Sequence, residues 1–206
     1  MKKRSLRQKA SLEKISDNKG KKMKILLLFI EAFIASTLHA YSYAAAGKEP
    51  TIDAKEAITR AINGDDFKMA QTVFKEYEQT YRYLNDEFNT LLFEGLKTSI
   101  SNHDKKQVFR WLDVSIACEI QRRIEGGLEN IKVFNVAKVM LAKADKFYKI
   151  LSVSLDKEKN EILKAAIKKC ADSIGNPGLF GVGAKVADEQ EYKKNQQVIA
   201  QILKSI

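Results

Sequence analysis

Residues 108–124 read Val108-Phe109-Arg110-Trp111-Leu112-Asp113-Val114-Ser115-Ile116-Ala117-Cys118-Glu119-Ile120-Gln121-Arg122-Arg123-Ile124. At 100° per residue, Phe109, Leu112, Ile116 and Ile120 fall on one stripe of a helix. Trp111, Val114 and Cys118 fall on the opposite side. A helix that is apolar on two faces needs neighbours on both, so this segment is predicted to be the centre of a helical bundle, with Trp111 largely buried.

Two charges interrupt the stripe. Asp113 and Arg123 lie where apolar side chains would pack more simply, and a buried charge costs several kcal/mol unless it is paired. They are ten positions apart, about 15 Å along a helix, too far to pair with each other. Their partners are therefore expected from other helices. One reading is a pair of ion pairs that fix helix register; the other is a polar pocket for a cation, an acid group or a partner's side chain.

Outward from this centre the pattern stays helical. Ile52, Ile58, Ala61 and Ile62 make a first stripe that stops at Asn63-Gly64. Asp65 or Asp66 can cap a second helix carrying Phe67, Ala70, Val73, Phe74, Tyr77, Tyr81 and Leu84, which forms a hairpin with the first. A third is expected over about residues 85–101, ending at Asn102-His103-Asp104, with Asp104 capping the central helix.

A fifth helix, about residues 129–154, turns Phe134, Ala137, Met140, Leu141, Ala144, Phe147, Tyr148 and Leu151 inward and Lys138, Asp145 and Lys149 outward. Asp156 caps a sixth, whose stripe is Ile162, Leu163, Ala166, Ile167, Cys170 and Ile174. The loop Gly175-Asn176-Pro177-Gly178-Leu179-Phe180-Gly181-Val182-Gly183 is expected to tuck Leu179 and Phe180 onto the bundle. A seventh helix, residues 188–206, buries Tyr192, Val198, Ile199, Ile202 and Leu203. The fold class is all-α: one bundle of six or seven antiparallel helices over residues 47–206.

Residues 1–46 differ in kind. A basic stretch reaching Lys24 precedes an apolar run at residues 25–38 and a small-residue tail ending Tyr43-Ala44-Ala45-Ala46. That is the order of a secretory signal peptide. The apolar run has 14 residues, fewer than the ~20 that span a bilayer, so cleavage near residues 45–47 and a periplasmic location are expected. An uncleaved signal would be the one link to a membrane. Met23 offers an alternative start, and Glu31 is an unusual charge within the run.

The whole chain has 36 basic and 26 acidic residues, a net charge of +10. Residues 1–46 hold 10 of the basic and 3 of the acidic groups, leaving 26 against 23, or +3. The basicity belongs mostly to the signal, which argues against nucleic acid as a partner.

The segment Arg122-Arg123-Ile124-Glu125-Gly126-Gly127-Leu128-Glu129 ends the central helix. Glu125 and Glu129 share a face if the helix continues through the glycines, and carboxylates so placed can hold a hard cation. Two successive glycines predict instead that the helix stops there. Asp113, Glu119, Arg123, Glu125 and Glu129 form the candidate polar set for a metal or ligand. Cys118 and Cys170 could pair in an oxidising compartment if their Cα atoms lie ~4.4 to 6.8 Å apart; the alternative is two buried thiols. His103 has no second ligand nearby, the cysteines lack zinc or haem spacing, and Gly178 to Lys185 does not match a phosphate-binding loop. No nucleophile and base match by motif or spacing, so no enzyme is expected.

Residues 111–151, and the loop at residues 175–183 with its following helix, resemble a soluble helical domain in the periplasmic parts of bacterial high-affinity iron permeases. The resemblance implies an accessory role in iron uptake or sensing, with iron or another metal ion as ligand and an inner-membrane permease or another periplasmic protein as partner. The family's membrane signature R-E-G-L-E is broken by insertions in Arg123-Ile124-Glu125-Gly126-Gly127-Leu128-Glu129, so its transport residues are not carried over. The other reading is a helical interaction or scaffold module that binds a protein and no metal.

Overall fold

Aspartates start half of the helices in the computed structural model, which describes residues 49–206 apart from Phe180. The signal-like segment and its cleavage region lie outside the described residues. The chain divides into the units Met1–Glu49 and Pro50–Ile206. In the second unit, eight α-helices follow one another: α1 (Pro50–Asn63), α2 (Phe67–Glu76), α3 (Glu78–Glu87), α4 (Leu92–Ser101), α5 (Lys105–Glu129), α6 (Phe134–Leu151), a 3-10 turn (Ser152–Ser154), α7 (Lys157–Ser173) and α8 (Glu189–Leu203). The carboxylates of Asp66, Asp104, Asp156 and Asp188 accept the amides of Met69, Gln107, Lys159 and Glu191 at 2.8 to 3.0 Å. Each satisfies a donor that the first turn leaves unpaired.

The two turns before α2 and α5 are built alike. Asp65 and His103 take φ values of 58° and 56°, and the next amides, of Asp66 and Asp104, reach back to the carbonyls of Ala61 and Ser99, both at 2.9 Å. This is the Schellman arrangement, which consumes the preceding helix's free carbonyls. The Phe67 and His103 rings stack with centroids 4.3 Å apart, and Lys105 pairs with Asp65 at 2.5 Å, fastening the two hairpin tips together.

Helix α5 is the spine, as its two-faced pattern requires. Its first half contributes Val108 and Leu112 to a core with α1 to α4, including Ile58, Phe74, Tyr81 and Leu96. Its second half contributes Ile116, Ile120 and Ile124 to another core with α6, α7 and α8, including Leu141, Phe147, Leu163 and Tyr192. Val114 and Cys118 meet Leu84 and Leu92 in a smaller cluster. Twenty-five residues make a rod of about 37 Å, long enough to serve both cores.

Several expectations need correction. The second expected helix is two, because it breaks at Tyr77; nothing in Glu76-Tyr77-Glu78 marks that break. The third begins at Leu92, since the side chains of Asn85 and Asn89 accept the amides of Phe93 and Leu91, both at 3.1 Å, and hold a turn before it. The central helix runs straight through Gly126-Gly127 to Glu129, and the next starts at Phe134. These glycines give room: an added Cβ on Gly127 would lie 2.3 Å from the Tyr192 hydroxyl, whereas one on Gly126 would make ordinary contact with Met140.

Trp111 is mostly buried, as expected, but keeps a partly exposed edge; its indole packs against Gly95, where a Cβ would come within 2.2 Å of it. Ile162 is exposed. The glycine-rich loop is a short hairpin held by Asn176 and Lys185, whose two mutual bonds are 2.8 Å, and by Leu179 and Val182. Leu179 is 75% exposed on it, so it does not tuck onto the bundle. Phe180 lies outside the described residues. No described helix is long and apolar enough to cross a membrane.

Candidate functional site

The five polar residues singled out from the sequence do not converge. Asp113 accepts from Lys55 of α1 at 2.6 Å, so its partner does come from another helix. Arg123 has a carboxylate on its own helix, Glu119, one turn back at 3.7 Å, and its guanidinium lies over the Phe147 ring of α6. Glu119 is 3% exposed and also accepts from Thr51 Oγ1 at 2.8 Å and Arg122 Nε at 2.9 Å. Burial works against the Arg122 charge, but Glu119 and Tyr83 outweigh it and hold the guanidinium above its ordinary pKa.

Glu125 accepts from Gln121 at 2.8 Å, and Glu129 is exposed at the helix end. Among the described residues, no group of three or more His, Cys, Asp or Glu stands together as a metal ion would need. The Lys55–Asp113 and Thr51–Glu119–Arg122 contacts tie α1 to the spine where one core gives way to the other, which is the register-fixing reading of these charges.

Cys118 and Cys170 are free, buried thiols in different clusters, so the candidate disulfide is not formed. Burial, with the charge of Glu119 adding and a backbone hydrogen bond opposing, pushes the Cys118 thiol up to about 12. Burial and Glu191 do the same for Cys170, also to about 12. Neither thiol is a nucleophile at neutral pH.

What the fold does build is a groove. Helices α6 and α7 both pack on the second core and are joined by the Tyr148–Asn160 hydrogen bond of 2.6 Å, and between them lies an open trough of about 720 Å³. Its floor is Phe134, Leu141, Ile167 and Ile174, with the exposed methyls of Ala142 and Ala171 between them. At the Phe134 and Ile174 end it adjoins a second hollow of about 450 Å³, walled by Pro177, Lys185 and Val186 of the hairpin. Val186 is 89% exposed, and Leu179 and Val182 on the same hairpin are also exposed.

The rim is basic. Lys138, Lys164 and Lys168 line the trough, and Lys132 and Lys185 the adjoining hollow. The two acids of these linings are engaged: Asp145 with Lys149 at 2.7 Å, and Glu189 with Lys193 at 2.6 Å. Glu189 is held below its ordinary pKa by its hydrogen bond and charge interaction with Lys193, with Lys132 adding against a small desolvation. Lys168 pairs with Asp172. Among the described residues no carboxylate lies within ion-pair distance of Lys132, Lys138, Lys164 or Lys185, although Lys132 acts on Glu189 at longer range.

Residues 132–172 carry ten lysines and five carboxylates, a surplus of five, larger than the +3 of residues 47–206 as a whole. The sequence reading placed Lys138 outward and Leu141 inward but missed the trough, because periodicity assigns faces and not the spacing between helices. The local lysine surplus was the signal that could have pointed to it. No protein-family model matches the chain, and neither a curated protein nor a solved structure shows significant similarity to it.

Proposed function

We propose that this is an exported helical interaction module whose docking face is the trough between α6 and α7. The observation that carries the reading is an apolar floor rimmed by Lys132, Lys138, Lys164 and Lys185, none of which has a carboxylate within ion-pair distance among the described residues. Concave apolar surfaces with a few convergent polar groups are the usual form of a binding site. Export rests on the order of the basic stretch, the apolar run at residues 25–38 and Ala44-Ala45-Ala46. The alternative role in metal uptake draws on no comparable feature, since its five residues are spread along α5, Asp113, Glu119, Arg123 and Glu125 are engaged with neighbours, and Glu129 stands exposed at the helix end.

A photo-reactive residue placed at Ala142 or Ala171, in the full chain and in a host that exports it, tests the reading. A discrete protein adduct is expected at both positions and not at Lys68, on the far side of the spine. Adducts absent from both positions, or equal at Lys68, would overturn it. N-terminal sequencing of the same material should begin near residues 45–47; an intact Met1 or Met23 would remove the export reading.

A further inference from the structure

Resting on the reading of the trough as a docking face, we infer that its occupant is an acidic amphipathic helix presented by a partner protein. The dimensions favour a helix. From Phe134 to Asp145 the trough follows α6 for roughly 16 Å, about three helical turns. Its floor is apolar but carries Ala142 and Ala171 at the surface, so partner side chains larger than a methyl have room between α6 and α7. An occupant with apolar anchors at i, i+4 and i+7 fills such a groove in the helix-in-groove mode.

Other occupants fit less well. An extended peptide gains its affinity by pairing with a sheet edge, and the trough is walled by two helices whose backbones are already bonded internally. A fatty acid has the matching charge and apolarity, but small-ligand sites bury 70–90% of their ligand, and the trough is open along its length. The chain's own N-terminal stretch carries ten basic groups within residues 1–24, the same sign as the rim. The rim lysines define the complementary chemistry: carboxylates along both flanks of the incoming helix, facing Lys138 on α6 and Lys164 on α7, with more at the end near Lys132 and Lys185.

The test is fluorescence anisotropy with the exported protein and a labelled 14-residue helix carrying leucine at the anchor spacing and glutamate on its flanks. The same helix with lysine for glutamate, and palmitate as competitor, are the comparisons. The acidic helix should bind at least tenfold more tightly than the basic one and weaken as salt rises, since exposed charges are screened. Lys138→Glu/Lys164→Glu should weaken it at least tenfold, whereas Lys68→Glu/Lys75→Glu, with the same change in net charge, should not. Equal binding of the two helices, indifference to the trough charges, or displacement by palmitate at stoichiometric amounts would overturn the inference. Failure of the acidic helix while cross-links at Ala142 and Ala171 persist would sink the partner chemistry and leave the docking face standing; loss of both would sink both.

Discussion

Gly126 and Gly127 are neighbours with opposite surroundings, and alanine at each should move stability in opposite directions. At Gly126 the new methyl meets Met140 at 3.5 Å, so the higher helix propensity of alanine should stabilise by up to about 1 kcal/mol. At Gly127 it would lie 2.3 Å from the Tyr192 hydroxyl, which is fully buried and donates to the Ile124 carbonyl at 2.8 Å, so Gly127→Ala should cost about 1–3 kcal/mol. Adding Tyr192→Phe removes the closest atom and should recover part of that loss. Urea titrations of the three variants decide the matter, and equal effects at the two glycines would contradict the packing. The thiols give a second prediction. A thiol raised to about 12 stays protonated in the fold where the unfolded chain, near 9, has ionised. Above pH ~9 the unfolded state therefore binds fewer protons, so the stabilisation is complete below that pH and lost as pH rises through about 12. Thiol titration at pH 8 should find no reaction in the native protein and two equivalents in denaturant; none in denaturant would reveal a disulfide.

Along an element, the same rules show where periodicity misleads. Ile162 and Leu163 are adjacent on α7 and both fit the apolar stripe, yet Leu163 is fully buried and Ile162 is 38% exposed. Leu163→Ala should cost about 2–5 kcal/mol and Ile162→Ala no more than about 0.5 kcal/mol, readable as melting temperatures of the two variants. Helix starts were better marked than helix ends. Asp104 and Asp156 were legible as caps because an aspartate ahead of an apolar stripe does one local job, accepting the amide three residues on. The break at Tyr77 and the passage of α5 through two glycines were not legible. Local propensity differs there by about 1 kcal/mol per residue or less, which packing such as that of Gly127 against Tyr192 readily exceeds.

Across the whole unit, two cores share one helix. Neither core can release α5 without exposing the apolar face that the other still needs, so unfolding should be a single cooperative event. Trp111, the sole tryptophan, sits on the α4 side against Gly95, while far-UV ellipticity reports on all the helices. Denaturation followed by the two signals should coincide, and Ile116→Ala, in the other core, should shift both by the same amount, about 2–5 kcal/mol. A tryptophan transition that precedes the ellipticity would mean that the cores unfold separately. The charge distribution also belongs to this scale: the surplus of lysine on residues 132–172 makes one side of the unit basic, a property of solvated side chains that screening by salt would diminish.

The amino-acid order alone determined that the chain is helical, that Asp104 and Asp156 start helices, and that α5 lies at the centre, because these follow from a 3.6-residue period and from caps acting within one turn. It also isolated Asp113 and Arg123 as charges needing partners, but periodicity could name neither Lys55 as the partner of Asp113 nor the buried Glu119 that Thr51, Arg122 and Arg123 surround. Tertiary structure decided the rest. Whether a third carboxylate joins Glu125 and Glu129, whether Cys118 meets Cys170, and how wide a trough α6 and α7 leave between them all depend on distances between different segments of the chain. Those distances are set by the volumes packed between helices, Ala142 and Ala171 among them, and no pattern read along one helix contains them.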